Sequence, residues 1–288
     1  MPRGQKSGRF QIAGVRVSAQ GRVLQDMARS KDIELKPVRS SAALRSAYQR
    51  KLERLVDEMH RSLAYWLASA YRKQSPRMAL DASASAELRR AMRKLARRWR
   101  SRFDELGPRL AEYFARAANE RVDDELRRML RDAGVTVNFK MTKAQAEAMQ
   151  ATIGENVSLI KSIAERHLSN VEGAVMRSVQ GGRDLSTLTK ELEDHYGVTR
   201  RRAALIAKSQ NNIATATLTR ARQKELGVKK AIWRHSAGGK HPRPEHVAFS
   251  GKEYDVDKGA FLEGKWTWPG REINCRCVSI PIIPGFQS

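Results

Sequence analysis

The last fifth of the chain, from Trp233 to Cys277, is the part whose sequence most restricts the fold. Glycine and proline residues occur throughout it, at positions Gly238, Gly239, Pro242, Pro244, Gly251, Gly259, Gly264, Pro269 and Gly270. Breakers at this density interrupt any helix of ordinary length. Short β-prone pieces lie between them, at 253–256, 266–268 and 277–280. This stretch therefore predicts a compact, turn-rich β module.

The residues before this stretch predict helices. From about Ser41, apolar residues recur at steps of three and four, as in a helix that buries one face, at Tyr48, Leu52, Leu55, Val56, Met59, Leu63, Trp66, Leu67 and Tyr71. A second stripe consists of Leu88, Met92, Leu95, Trp99 and Phe103. Gly107-Pro108 is expected to end that helix. A third helix is then expected to run to about Asp132 and to bury Leu110, Tyr113, Phe114, Leu126, Met129 and Leu130.

Further helices are predicted between Asp132 and the β module, after a short extended connector at 135–139. Their expected N-terminal caps are Thr142 (with Gln145 in a capping box), Asp184 and Thr199. The first of them is expected to be one helix or a pair of helices. The expected ends are Gly181, Gly197 and Gly227.

The predicted fold class is therefore α+β, with a mainly α-helical N-terminal region and a small turn-rich β module at the C-terminus. We divide the chain into a basic flexible arm at 1–40, a helical region at 41–134, a second helical region at 135–230 and the β-rich module at 231–288. The N-terminus has no apolar core of a secretory signal, and no apolar run is long enough to span a membrane.

The charge of the chain predicts a polyanionic partner. There are 55 Lys and Arg against 31 Asp and Glu, which gives a formal net charge of +24. Such a surface attracts double-stranded DNA without a specific pocket, because neutralised phosphates release counterions. An acidic protein surface is the alternative partner, and basic charge can also serve solubility alone. The candidate DNA-binding residues are Arg89, Arg90, Arg93, Lys94, Arg97, Arg98, Arg200, Arg201 and Arg202.

The histidines and cysteines of the C-terminal stretch suggest a structural zinc site. Thiolate and imidazole are preferred zinc ligands, and a small β module would be stabilised by an ion. The candidate ligands are Cys275, Cys277, His246 and one of His241 or His235. The spacing C-x-C is not the C-x-x-C of familiar zinc sites, and in a strand it places both side chains on one face without a metal. The alternative is that these residues, with Arg243 and Asn274, hold the turns by packing and hydrogen bonding.

An enzyme is the opposing hypothesis. His246 with Asn274, and His241 near them, could serve a metal-dependent nuclease, and a cysteine could act as a nucleophile with a histidine base. The neighbouring acids follow no recognisable motif; they are Glu245, Glu253, Asp255 and Asp257. Phosphate-loop, dinucleotide-binding and zincin motifs are absent from the sequence. We therefore expect a protein that is not an enzyme, with zinc as the one candidate cofactor.

The motifs of the C-terminal stretch resemble a known family. RPEH at 243–246 is followed by a downstream glycine, by PG-x-x-x-NCRC at 269–277 and by a proline-containing tail. Upstream, a helical segment leads into Trp233. This combination resembles the C-terminal module of the phage Mu F-like minor head proteins, also known as head morphogenesis proteins of tailed phages. The motif residues are Trp233, Arg243, His246, Asn274, Cys275 and Cys277.

The resemblance covers roughly the C-terminal half of the chain and implies a role in the virion. It implies a minor head protein, made in the bacterial cytoplasm and located inside the head near the portal, that acts in procapsid assembly and in DNA packaging or delivery. The implied partners are the portal protein, the major capsid protein and a scaffold protein. Packaged DNA would be the polyanion that the basic charge predicts.

Overall fold

A computed structural model describes residues 7–12, 15–20, 33–72, 82–181, 184–239 and 241–283. Its helices are α1 Ala42–Arg72, α2 Ala82–Asp132, α3 Lys143–Gln180, α4 Leu185–Glu225 and α5 Pro244–Ala248. Its strands are β1 Ser7–Ile12, β2 Val15–Gln20, β3 Ile33–Glu34, β4 Val135–Asn138, β5 Lys230–Arg234, β6 Glu253–Asp255, β7 Ala260–Leu262, β8 Lys265–Thr267 and β9 Val278–Ile283. The predicted α+β class is confirmed.

The predicted N-terminal arm is described only in part. Residues 1–6, 13–14 and 21–32 lie outside the described residues, whereas β1 and β2 form an antiparallel pair and β2 pairs with β4. The flexibility of the arm stays a prediction.

The prediction that Gly107-Pro108 ends a helix is wrong, because α2 continues through both residues. Proline removes one backbone hydrogen bond from a helix interior. Here the buried stripe keeps its phase across the break, from Phe103 through Gly107 to Ala111 and Phe114. A Cβ at Gly107 would lie 3.6 Å from Ile160 Cγ2, so this position packs closely against α3. Continuous packing on one face explains why the helix persists.

The predicted break between Gly197 and Thr199 is also wrong, since α4 is one helix. Thr199 is not a cap. Its hydroxyl donates to the carbonyl of His195, four residues earlier, at 2.8 Å, as a threonine inside a helix can. By contrast, the caps at Thr142 and Asp184 are confirmed: Thr142 Oγ1 accepts from Gln145 N at 3.2 Å, and Asp184 accepts from the backbone of Ser186 and Thr187. The reciprocal half of the predicted capping box is wrong, because Gln145 Nε2 donates to Asn119 and its Oε1 has no hydrogen-bond partner.

Two compact units divide the described chain. The terminal unit comprises Met1–Leu44, Ala115–Thr152 and Ser209–Ser288, and the helical unit comprises Arg45–Phe114 and Ile153–Lys208. The bounds of these units differ from those of the four predicted segments, and the division into those four segments stays a prediction.

The core of the helical unit is formed by the predicted apolar stripes of α1 and α2 with α3 and the first half of α4. Tyr48 is fully buried, stacks on Phe114 at a centroid distance of 4.3 Å, and donates a hydrogen bond to Asn156. Two predicted core residues are instead exposed, Trp66 at 48% and Tyr113 at 41%. Each lies beside correctly predicted core positions, at the edge of its helix's buried face.

The terminal unit holds the described sheets, all antiparallel. Their strand orders are β1-β2-β4, β3-β9-β5-β6 and β7-β8. Within this unit Arg222 of α4 is 1% exposed and forms a two-bond ion pair with Asp123, at 2.7 and 2.8 Å. It also donates to Glu225 and to the carbonyl of Lys140. The C-terminal half of α4 thereby fixes α2 and the residues after β4 as a frame for the C-terminal module.

Candidate functional site

The RPEH motif forms the start of α5 and brings His246 into the interior. Arg243 is extended and Pro244 occupies the first turn, where its missing N–H costs no hydrogen bond. Arg243 donates to the carbonyl of Ile273 at 3.1 Å and its Nε lies 3.4 Å from a Glu263 oxygen. Arg243 therefore joins the motif helix to the loop that precedes the cysteines.

The NCRC motif places both cysteines on one buried face. Cys275 and Cys277 are 4% and 5% exposed, whereas Arg276 between them is exposed. Asn274 is exposed and has φ of 61°, a left-handed conformation that asparagine adopts more readily than most residues. Asn274 thus turns the chain into the C-x-C segment, which is a structural role.

His246 and the two cysteines meet in a single cluster. His246 is 2% exposed, and its Nδ1 lies 3.6 Å from Cys275 Sγ and 3.8 Å from Cys277 Sγ. Its other ring nitrogen, Nε2, is buried without a hydrogen-bond partner. Neither cysteine is in a disulfide. Three of the predicted metal ligands are therefore together.

The two thiols of this cluster differ in acidity because they share a hydrogen bond. That hydrogen bond from Cys277 lowers the pKa of Cys275 to about 5, against the effect of burial. The same interaction, with burial and the charge of Cys275, raises the pKa of Cys277. This shared hydrogen bond makes Cys275 the more acidic of the two thiols.

The indole of Trp233 forms one wall of the cluster. Trp233 lies in β5, is fully buried, and contacts the His246 ring edge to face at a centroid distance of 5.0 Å. Its backbone pairs with Gly251 and Lys252 in the turn after α5. The motif tryptophan is thus a core residue of the module.

The other two histidines proposed as ligands lie apart from this cluster. His241 is exposed, and His235 Nδ1 accepts a hydrogen bond from the backbone of Ala237. Among the described residues, the group of three or more His, Cys, Asp or Glu side chains that could hold an ion consists of His246, Cys275 and Cys277.

The acids proposed for a nuclease make other contacts. Glu253 pairs with Lys230, Asp257 with Lys224, Asp255 caps the turn at 257–258, and Glu245 accepts from the backbone of Glu263. The geometry of the described residues gives the nuclease hypothesis no carboxylate beside the cluster.

Sequence reasoning missed two polar residues of α4 that support the module. Asn212 donates to the carbonyl of Cys275 at 3.0 Å and accepts from the Ser40 hydroxyl, and Gln223 contacts the Ser279 hydroxyl at 3.1 Å. For Asn212 the signal was the polar run Gln210-Asn-Asn212 between the apolar stretches 203–207 and 213–214. Such polar side chains on a packed face are a sign of long-range hydrogen bonding.

The predicted DNA-binding residues fall into two groups. All six on α2 are exposed, and no ion pair is described for them: Arg89, Arg90, Arg93, Lys94, Arg97 and Arg98. On α4, Arg200 contacts Glu53 and Asp57, and Arg202 is half-buried and donates to Ser162. Arg201 alone of these three is exposed. We call the six α2 residues the cationic face of α2; of the two groups, this face is the one whose charges are available to bind phosphates.

Comparison with known proteins bears on the C-terminal part of the chain. Residues 169–280 match the family model described as Phage Mu protein F like protein, which confirms the resemblance predicted from RPEH and NCRC. This match includes the cluster and the whole of α4. It covers less than half of the chain.

A curated relative also matches part of this chain. A protein of Haemophilus influenzae (strain ATCC 51907 / DSM 11121 / KW20 / Rd), named "Uncharacterized protein", is 34% identical over 137 residues, which is 48% of this chain and 30% of the relative. The match thus spans less than a third of the relative's length. No solved structure is significantly similar to this chain. Among the described helices, none combines the length and apolar composition that a bilayer requires.

Proposed function

We propose that this protein is a minor head protein of a tailed phage that acts in head assembly and in DNA packaging or delivery. The match of residues 169–280 to the phage Mu F-like family carries the proposal. We place the protein inside the head near the portal, with the portal protein, the major capsid protein or a scaffold protein as its partners. Its role is structural, without an enzymatic step.

Sequence-independent contact with double-stranded DNA is the second part of this proposal, and the cationic face of α2 supports it. At 3.6 residues per turn, its six side chains cover an arc of about 180° and a length of about 14 Å. The apolar stripe from Leu88 to Phe103 occupies the opposite side. This face therefore projects away from the core of the helical unit.

The local scarcity of acids leaves this face unneutralised. Between Ala82 and Phe103 the only acidic residue is Glu87, whereas the arginines that follow are paired, Arg100 with Glu165 and Arg102 with Glu105. Duplex DNA presents about one charge per 1.7 Å of axis, so a 14 Å face meets several phosphates at once. Contacts with phosphate carry no base information, and binding should be independent of sequence.

A salt titration with matched variants tests the DNA contact. One variant carries Arg89→Gln, Arg93→Gln, Lys94→Gln and Arg97→Gln; the control carries the same change at four exposed lysines elsewhere, Lys143, Lys190, Lys229 and Lys258. Each phosphate contact contributes about 0.9 to the slope of log K against log salt. In the α2 variant the magnitude of this slope should therefore be smaller than in the wild type by about 3 to 4, whereas the control should change it much less. Equal losses would show that only total charge matters and would refute the assignment to α2.

The head role is tested separately, on particles. Purified procapsids and full heads from the phage or prophage that encodes this chain should both contain it, at a few copies per head, by quantitative mass spectrometry. Absence from both kinds of particle would contradict the proposal, whatever the DNA titration shows.

A further inference from the structure

The cluster of His246, Cys275 and Cys277 has the dimensions of a metal centre. Its three ligand atoms all lie within 4.8 Å of one another, and all three side chains are at least nine-tenths buried. A tetrahedral ion with Zn–S bonds of 2.3 Å and Zn–N bonds of 2.0–2.1 Å separates its sulfur and nitrogen ligands by about 3.6 Å. The two Nδ1–Sγ distances, 3.6 and 3.8 Å, are close to that value.

Backbone N–H donors approach both sulfurs. The backbone N–H groups of Cys277 and Gly270 donate to Cys275 Sγ, and that of Ser236 donates to Cys277 Sγ. Donors aimed at both sulfurs stabilise negative charge on each. A divalent cation bound between these sulfurs would deprotonate both thiols and neutralise their charge by direct contact.

The backbone around the sulfurs is also built closely. Gly270 has φ of 81°, and a Cβ at this position would lie 3.0 Å from Ala216 Cβ and 3.1 Å from the carbonyl of Cys277. The glycine of the PG-x-x-x-NCRC motif therefore lets its own N–H approach Cys275. Glycine has no side chain with which to make contacts, so this close backbone approach explains its presence in the motif.

We propose that His246 Nδ1, Cys275 Sγ and Cys277 Sγ bind one zinc ion. The donor set of two thiolates and one imidazole suits zinc better than magnesium or calcium, which prefer oxygen. The ion joins α5 to the start of β9 across 28 intervening residues of sequence, Val247 to Asn274. His241, which the sequence offered as a fourth ligand, is not part of this site.

Metal analysis of the full chain tests the proposal. The protein is purified without a metal-affinity tag, equilibrated with zinc and separated from free ion, and its zinc is measured by plasma mass spectrometry. Wild type and His241→Asn should retain stoichiometric zinc, whereas Cys275→Ser, Cys277→Ser and His246→Ala should lose most of it. Loss of zinc in His241→Asn would overturn the three-ligand assignment, as would full zinc content in a variant that lacks both cysteines.

Cobalt replacement keeps the test decisive where a cysteine variant does not fold. Cobalt bound to the wild-type chain should show thiolate charge-transfer and tetrahedral d–d absorption, and a chelator should remove both and lower the melting temperature. A folded wild-type chain that takes up neither zinc nor cobalt would refute the site. This result is independent of the DNA titration, because none of the three ligands lies on α2.

Discussion

His167 offers a sharp test of the helical unit. This histidine of α3 is 1% exposed, and its Nδ1 lies 2.9 Å from Thr199 Oγ1, whose own proton goes to the carbonyl of His195. His167 Nδ1–H is therefore the donor, and Nε2 is the atom that acid would protonate. Nε2 has no hydrogen-bond partner. Burial, and then the charges of His60 and His195, lower the pKa of His167 to about 4.

The size of the effect follows from linkage. An unfolded histidine has a pKa of about 6.5, so between pH 6.5 and 4 the unfolded chain binds more protons and stability falls as the pH is lowered. Relative to pH 8, His167 should lower the free energy of unfolding by about 2 kcal/mol at pH 5. The loss should reach about 3 kcal/mol once the histidine is protonated in both the folded and the unfolded chain. The contribution is fully present above pH 6.5.

The matched variant is His167→Asn, whose amide nitrogen occupies the place of Nδ1 and keeps the donor to Thr199. Urea denaturation of both proteins at pH 8 and pH 5 gives two differences in unfolding free energy, and subtracting them cancels every group that is common to both. The variant should retain about 2 kcal/mol more of its pH 8 stability at pH 5. An equal loss in the two proteins, or an NMR titration of the folded histidine near pH 6.5, would refute the reasoning.

Two further predictions concern the terminal unit. Arg222→Met should destabilise the fold by roughly 3–5 kcal/mol, because it leaves the two buried carboxylates without their guanidinium partner. The exposed control Arg201→Met should change the denaturation midpoint little. Equal effects of the two substitutions would contradict a buried ion pair. Gly259→Ala should destabilise the fold far more than Gly264→Ala, although both glycines have positive φ. A Cβ at Gly259 would lie 2.5 Å from the Thr267 carbonyl oxygen, whereas a Cβ at Gly264 would meet nothing within 4 Å. The left-handed strain common to both should cost about 1–2 kcal/mol, and similar melting temperatures for the two variants would show that the close approach is absent.

Local sequence signals predicted most of the fold, and the failures occurred where a distant contact overrides a local rule. The caps at Thr142 and Asp184 depend on a side chain and the next turn, so they are readable from sequence. Gly107-Pro108 and Gly197 resemble helix ends, yet the buried face continues through them against other helices. No local pattern carries that information.

The candidate site divides in the same way. Alternation in a C-x-C segment places Cys275 and Cys277 together without any long-range contact. The sequence also named His246, and added one of His241 or His235 as a fourth ligand. That neither of these two joins the cluster depends on where α5 packs, on Trp233 in another strand and on the loop held by Arg243. The sequence therefore identified the ligand types and His246, whereas the exclusion of the other histidines required the tertiary structure.

The arginines show why net charge alone does not locate a surface. Arg97, Arg200 and Arg222 are equivalent in a count of charges, yet their surroundings differ. Arg222 is enclosed by Asp123 and Glu225, Arg200 meets Glu53 and Asp57 from α1, and Arg97 is exposed on a stretch with a single acid. An arginine already paired with a carboxylate must give up that pair to bind a phosphate. Only unpaired cations should therefore contribute fully to the salt dependence of DNA binding, and the helix with the fewest local acids is where that contribution should be found.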